Sequence, residues 1–392
     1  MKIAIVHDQL REFGGAERVL VALKEIYPRA DVFTSTFDPD SLGEHIETVK
    51  HWKVYVSWFG RIPLINRLYS PLRFLTPYIW ESFDFSKYDL VISSTGSWMC
   101  KGVITKKPVI HLSYIHHPPR YLYGYETAVE WQKHLIVKIY GTIINHFLRL
   151  WDFEASQRPD YLISNSVETQ KRIQKFYRRD STVIYPPVSI PHKISYNQYP
   201  ITNNYFITVS RLARAKHVDL LIKTANKYRF NLKVVGIGRD MKYLQSIAGS
   251  TVEFLGNVSD KMLTKLYKNA MAFLFASIDE EFGIAPIEAM GYGLPVIAYS
   301  SGWLKETVHD GMNGFLFTEQ TEKSVGDAIK RLQSLASEKY LEMRRNARKE
   351  SEKYSTKLFK EKIMSFITHS LSRQSVKDPQ PFLPERHRRS PR

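Results

Sequence analysis

Arg211 and Lys216 stand in the run SRLARAK, residues 210 to 216, directly ahead of a helical pattern that puts Leu220, Leu221 and Ala225 on one face. Cations at a helix amino terminus oppose the helix dipole, and a bound diphosphate resolves that conflict. Further along lies SIDEEFGIAPIEAMGYGLP, residues 277 to 295. Its acids Asp279, Glu280 and Glu281 follow a wholly apolar strand pattern, residues 270 to 275. Past Phe282, Gly283, Ile284 and Pro286, a short helix is expected to open at Ile287-Glu288-Ala289-Met290 and to end at Gly291 and Gly293. Glu280 then falls at a strand's carboxyl end and Glu288 in a helix's first turns, the edge where open parallel sheets bind ligands. His116 and His117 end another strand pattern, ahead of Pro118-Pro119-Arg120-Tyr121. A neutral imidazole there hydrogen-bonds a sugar hydroxyl or takes up a proton, whereas a metal would lack a third ligand nearby. Gly14 and Gly15 let backbone N–H groups approach a ligand, although a tight turn without one has the same composition.

These residues need sheets to hold them. Strand patterns recur at residues 2–7, 31–34, 88–94, 109–115, 160–166 and 182–185, with helical patterns at 131–151 and 168–177 between them. Pro186-Pro187 and a polar stretch to Asn204 break the alternation, which restarts at 205–209 and continues through 233–238, 252–258 and 296–298. Gly256 marks the turn after 252–255, and residues 311–314 turn into a last short strand. Helices are expected over 320–334, 337–353 and 356–371. The class is α/β, with two doubly wound parallel sheets.

The chain's 392 residues suit about two domains, and 43% hydrophobic residues supply a core for each. Apolar runs fall well short of the roughly 20 residues that cross a bilayer, and the first strand is too short for a signal peptide core. The expectation is a cytoplasmic protein. The single cysteine, Cys100, excludes an internal disulfide and a thiolate zinc cluster. The net charge of +17 fits an anionic membrane surface or a phosphorylated substrate, or simply a solvated basic surface; no motif accompanies it that would make nucleic acid the partner. Residues 52 to 80 interleave aromatic and aliphatic groups with Arg61, Arg67 and Arg73, a mixture that suits the bilayer interface and equally an internal helix pair. The apolar helix at 131–151 has the same two readings, and Asp38-Pro39-Asp40 reads as a turn.

The loop Gly14-Gly15-Ala16-Glu17-Arg18, the pair Arg211 and Lys216, the pair Glu280 and Glu288 flanking Phe282-Gly283, and the DGMNGFL turn occur in an order that resembles the retaining glycosyltransferases of family 4. The resemblance covers about residues 1 to 370. It implies the GT-B fold, two facing Rossmann-like domains with the donor cleft between them. The division it suggests is an acceptor-side domain 1–187, a linker 188–204, a nucleotide-sugar-binding domain 205–355, a helix 356–371 packing back on the first domain, and a disordered basic tail 372–392.

On that resemblance Glu288 takes the ribose, Glu280 the sugar, and Arg211 with Lys216 the diphosphate. Gly14, Gly15, Gly256, Phe282, Gly283 and Ile284 complete the donor site, and His116 and Glu280 are the catalytic candidates. His117, Arg120 and Tyr121 are candidates on the acceptor side. The YIHHPPRY stretch is similar to a segment of bacterial mannosyltransferases, which implies GDP-mannose as donor. No metal and no cofactor are expected. The partners are a nucleotide sugar, a saccharide or lipid-linked acceptor, and an anionic membrane surface at the inner face. Two residues depart from the family pattern: Glu281 and His217 stand where glycine is usual, and either would narrow the diphosphate pocket. A nucleotide-sugar 2-epimerase and a non-catalytic sugar-nucleotide or membrane-binding protein are the rival readings.

Overall fold

The central strands are buried on both faces and largely apolar, the outer ones are half-exposed, and together they assemble into two all-parallel sheets. In the computed structural model, which describes residues 1–63, 65, 69–127, 134–191 and 205–377, the first sheet contains β1 (Ile3–His7), β2 (Asp31–Thr34), β3 (Val54–Val56), β4 (Leu90–Thr95), β5 (Ile110–Ile115), β6 (Tyr161–Ser164) and β7 (Thr182–Val183). Their order is β3-β2-β1-β4-β5-β6-β7. The second sheet contains β8 (Tyr205–Val209), β9 (Asn231–Val235), β10 (Val252–Gly256), β11 (Phe273–Phe275), β12 (Val296–Tyr299) and β13 (Gly314–Phe317), in the order β10-β9-β8-β11-β12-β13. Strand order reverses beside β1 in one sheet and β8 in the other, and crevices open at such points. The loops that follow β1, β4, β5, β8 and β11 carry Gly15, Ser97, His116, Lys216 and Glu280 to one shared cavity.

Six helices position the site: α1 (Gly15–Ile26), α2 (Leu135–Gln157), α3 (Val167–Tyr177), α4 (Val218–Tyr228), α5 (Ile284–Gly291) and α6 (Thr356–Lys377). In α1, Glu17 reaches back to the Gly14 N–H at 2.8 Å and so satisfies a donor the helix leaves unpaired. The helix α5 starts three residues before the expected Ile287, with Gly283 as its cap. Pro286 does not prevent this, because the first turn needs no intrahelical N–H partner at that position. Phe359, Ile363 and Ile367 of α6 are buried with Ile5, Val19 and Leu112, so the chain's last described helix returns to the first sheet.

One expectation is narrowed and another changes. Residues 52 to 80 contribute β3 and bury Phe59, Ile65, Ile79 and Trp80 beneath the first sheet, which makes much of the stretch core; Arg67 lies outside the described residues. The helix α6 runs on to Lys377, past the expected start of the tail at 372, because no proline or glycine interrupts it before Pro379. Part of the linker, 192–204, and residues 378–392 lie outside the described residues. Asp38 leads into a 3-10 turn, Pro39–His45.

Candidate functional site

The carboxyl edges of the two sheets face one another across a cavity of about 1240 Å³. Gly15, His116, His117, Arg120 and Tyr121 line it from the first domain, and Arg211, Lys216, Glu280, Glu281, Phe282 and Ile284 from the second. A Cβ on Gly15 would lie 2.9 Å from the Ile284 side chain, so the glycine is what lets α1 and α5 meet so closely. Gly14, Gly283 and Glu288 are not among the residues that line the cavity. Gly256 stands apart from it at the end of β10, with a φ of +64° and a carbonyl that accepts the Gly236 N–H. Its glycine serves a turn that L side chains rarely adopt.

On the second domain's side, Lys216 Nζ donates to Glu280 Oε2 at 2.6 Å, and Ser277 Oγ donates to the same oxygen at 2.7 Å. The Glu280 carbonyl accepts the Trp303 N–H at 2.9 Å, which anchors the loop from behind. Asp279 has a φ of +52°, an uncommon conformation for a residue with a side chain, and the Ser301 hydroxyl accepts its N–H. Arg211 reaches over the cleft to Glu12 at 2.8 Å. Glu288 accepts a bond of 2.5 Å from Arg18, on the fourth residue of α1. Burial raises the Glu288 carboxyl above its ordinary value, and Arg18 offsets only part of that.

Glu281 behaves differently. Its carboxylate receives Arg120 through two nitrogens, with Nε at 2.7 Å from Oε1, and Arg172 Nη1 at 2.8 Å from Oε1. The Asp279 carbonyl accepts from both arginines as well. Burial pushes the Glu281 carboxyl up, but Arg120, with His117 and Arg172, more than reverses this and holds it at about 2. His217, with a φ of +48°, places Nε2 at 3.0 Å from Glu126 on the first domain. The two departures from the family pattern therefore turn toward the facing domain, where Glu281 forms ion pairs and His217 a hydrogen-bond contact, and do not simply fill the pocket.

Of the acceptor-side candidates, Arg120 is engaged by Glu281, and the Tyr121 hydroxyl donates to the Ser97 carbonyl at 3.1 Å, with Arg73 stacked 3.9 Å over its ring. His117 Nδ1 lies 3.0 Å from the Pro118 carbonyl. His116 is buried, with Nε2 at 2.8 Å from Ser94 Oγ. Burial, with a smaller contribution from the neighbouring His7 and His117 rings, pushes the His116 imidazolium well below its usual range, so the ring is neutral. Sequence reading missed Arg172, which sits in a helix rich in charges that nothing in composition distinguishes. It also passed over His7 and Ser94, although each stands at a strand's carboxyl end as His116 does.

Residues 194–350 match the family described as glycosyl transferases group 1. The alpha-1,3/1,6-mannosyltransferase alg2 of Schizosaccharomyces pombe is 26% identical over 377 residues, covering 81% of this chain and 70% of that protein. The O-antigen chain mannosyltransferase RfbU of Salmonella typhimurium is 29% identical over 188 residues, 46% of this chain and 52% of that one. Among solved structures, Anabaena Alr3699/HepE in complex with UDP and glucose superposes with a TM-score of 0.67 at 20% identity, covering 94% of this chain and 99% of that one. The chain thus has two domains in the GT-B architecture, and the second matches the group 1 glycosyltransferase family.

Proposed function

We propose that the protein transfers mannose from GDP-mannose to a hydroxyl of a saccharide acceptor, with retention of anomeric configuration and without a metal. The observation that carries the reading is the convergence of Lys216, Arg211, Glu280 and His116 on one cavity between the sheets. Glu288 accepts the ribose hydroxyls in place of Arg18, and Glu280 the sugar hydroxyls. Arg211 and Lys216 hold the diphosphate and stabilise the negative charge that grows on it as the bond from C1 to the phosphate oxygen breaks. The acceptor oxygen bonds to C1 on the same face, and its proton passes to the departing phosphate. The mannosyltransferase relatives support the choice of donor. Incubation with a panel of nucleotide sugars and saccharide acceptors tests the reaction: an axial product anomer from an axial donor is expected by proton NMR, and inversion refutes the mechanism. Product formed from donor alone would favour the epimerase reading.

The acceptor is lipid-linked and is met at an anionic bilayer. No helix among the described residues is long and apolar enough to cross a membrane. What supports surface binding is α2, which exposes Leu135 (71%), Ile136 (83%) and Phe147 (63%) beside Lys138 and Arg149. Ile136, Val137 and Tyr140 also line the cavity, so the apolar face runs into the site. The Tyr140 hydroxyl donates to the Pro71 carbonyl, joining this face to the exposed Phe74 and Tyr78.

A further inference from the structure

His116 ends a buried chain of four side chains. Ser94 Oγ is 2.8 Å from His116 Nε2 and 3.2 Å from His7 Nδ1, and His7 Nε2 is 3.3 Å from Glu17 Oε1. The fold builds it directly: His7 and Ser94 are register partners across β1 and β4, His116 follows β5 alongside, and Glu17 lies in the first turn of α1. All four residues are buried. The other Glu17 oxygen accepts the Gly14 N–H, which fixes the carboxyl group in place.

Counting donors sets the direction of the chain. A carboxylate offers lone pairs alone, so the bond to Glu17 requires the proton of a neutral His7 to be on Nε2. His7 Nδ1 is then an acceptor, and the Ser94 hydroxyl gives it the one proton it has. Ser94 Oγ in turn accepts, so His116 carries its proton on Nε2. Since His116 is neutral, its Nδ1 is left with a lone pair, and among the described residues that nitrogen has no hydrogen-bond partner. His116 lines the donor cavity. The opposite direction needs either a protonated Glu17 or a second proton on His7.

We propose that Glu17, His7 and Ser94 are positioning residues that hold His116 in the Nε2–H tautomer, so that Nδ1 accepts a hydrogen bond from a hydroxyl of the sugar or the acceptor at the point of transfer. The inference rests on the glycosyltransferase reading only for the identity of that hydroxyl; the tautomer itself does not depend on it. A site that accepts with Nδ1 discriminates for a hydroxyl donor and against an ether or a deoxy position.

Long-range proton–nitrogen correlation spectra of the ¹⁵N-histidine-labelled protein give the test, with His116 assigned by the signals lost in His116→Gln. The wild type should show a protonated Nε2 and a bare Nδ1 on His116. Glu17→Gln keeps the shape of the side chain: its amide oxygen retains the Gly14 N–H and its NH₂ group faces His7. Every donor in the chain should then reverse, moving the His116 proton to Nδ1. With a productive nucleotide sugar, kcat should fall by about 100-fold, the order expected for losing one aligned acid–base group, while the donor KM changes by less than about threefold. Ser94→Ala interrupts the chain without touching Glu17 and should leave both His116 tautomers populated. A wild-type His116 protonated on Nδ1, or a Glu17→Gln tautomer like that of the wild type, overturns the proposal. So does a reversed tautomer with unchanged kcat. Absence of transfer from every nucleotide sugar overturns the glycosyltransferase reading and leaves the tautomer result standing.

Discussion

Glu281 and Glu288 belong to one loop and the helix that follows it, Glu281 buried and Glu288 half-buried, and the first domain answers each with arginine, yet their chemistry diverges. Two guanidinium groups converge on Glu281 and hold its carboxyl at about 2; among the described residues Glu288 is paired with Arg18 alone, and burial keeps its carboxyl above the ordinary range. A buried carboxylate with its charge fully matched is a structural tie, costly to break and with nothing spare to offer a ligand. An under-matched one, whose partner Arg18 is a third exposed, exchanges that partner easily for hydroxyl donors. Seven residues thus separate a clasp between the domains from the proposed ribose acceptor.

The largest effect that sharpens this contrast is expected at the clasp. Glu281→Gln leaves Arg120 and Arg172 without their carboxylate, and Arg172 is only 2% exposed. Breaking a buried pair on one side costs about 3 to 5 kcal/mol. Denaturant unfolding should register a loss of that order, and a loss below about 1 kcal/mol would show that the arginines find water or other partners.

Next comes Lys216→Ala, which removes the Glu280 partner and a charge from the proposed diphosphate site. A charge-assisted bond of about 1.5 to 3 kcal/mol corresponds to donor binding weakened by about 10- to 100-fold. Calorimetric titration reads this, and unchanged affinity would move the diphosphate elsewhere.

The pH dependence separates the two carboxylates by sign. Glu281 has a folded value of about 2 against an ordinary 4.5, so its stabilisation is present above pH 4.5 and is lost as the pH falls toward 2. Glu288 is shifted upward, so its contribution is complete below 4.5 and is lost as the pH rises through its folded value. Subtracting the stability–pH profiles of Glu281→Gln and Glu288→Gln from that of the wild type should give curves of opposite slope. Two curves of one sign would erase the distinction.

The smallest expected effect on stability concerns the exposed face. Ile136→Asp with Phe147→Asp should change the unfolding free energy by less than about 0.5 kcal/mol, as surface substitutions generally do, while abolishing sedimentation with anionic vesicles. Vesicle binding that survives would move the contact to another surface, and a wild type that does not sediment would remove the membrane from the account.

Much of this was legible in the chain because periodicity is a local signal. The strands at 31–34 and 205–209 agree with the structure residue for residue, since each is a short apolar run between polar turns. The aromatic stretch at 52–80 stayed open between core and surface because composition does not say which face of a segment meets the core: Phe59 and Trp80 went inside, while Phe74 and Tyr78 are exposed. Glu280, Lys216 and His116 stood out because each follows a strand or precedes a helix. Arg172 and Glu126 did not, because their importance lies in partners more than 90 residues distant, across the cleft. The tie at Glu281 is visible only once both domains are in place.

The central claim is that a nucleotide sugar binds in this cleft with its ribose on Glu288. Titration of GDP-mannose into the wild type and into Glu288→Ala tests it most directly. The account predicts saturable binding at one site per chain in the wild type and affinity weakened by about 10- to 100-fold in the variant, the loss of one or two hydrogen bonds to a charged group. Equal affinity in the two proteins, or no binding of GDP-mannose by the wild type, would contradict it.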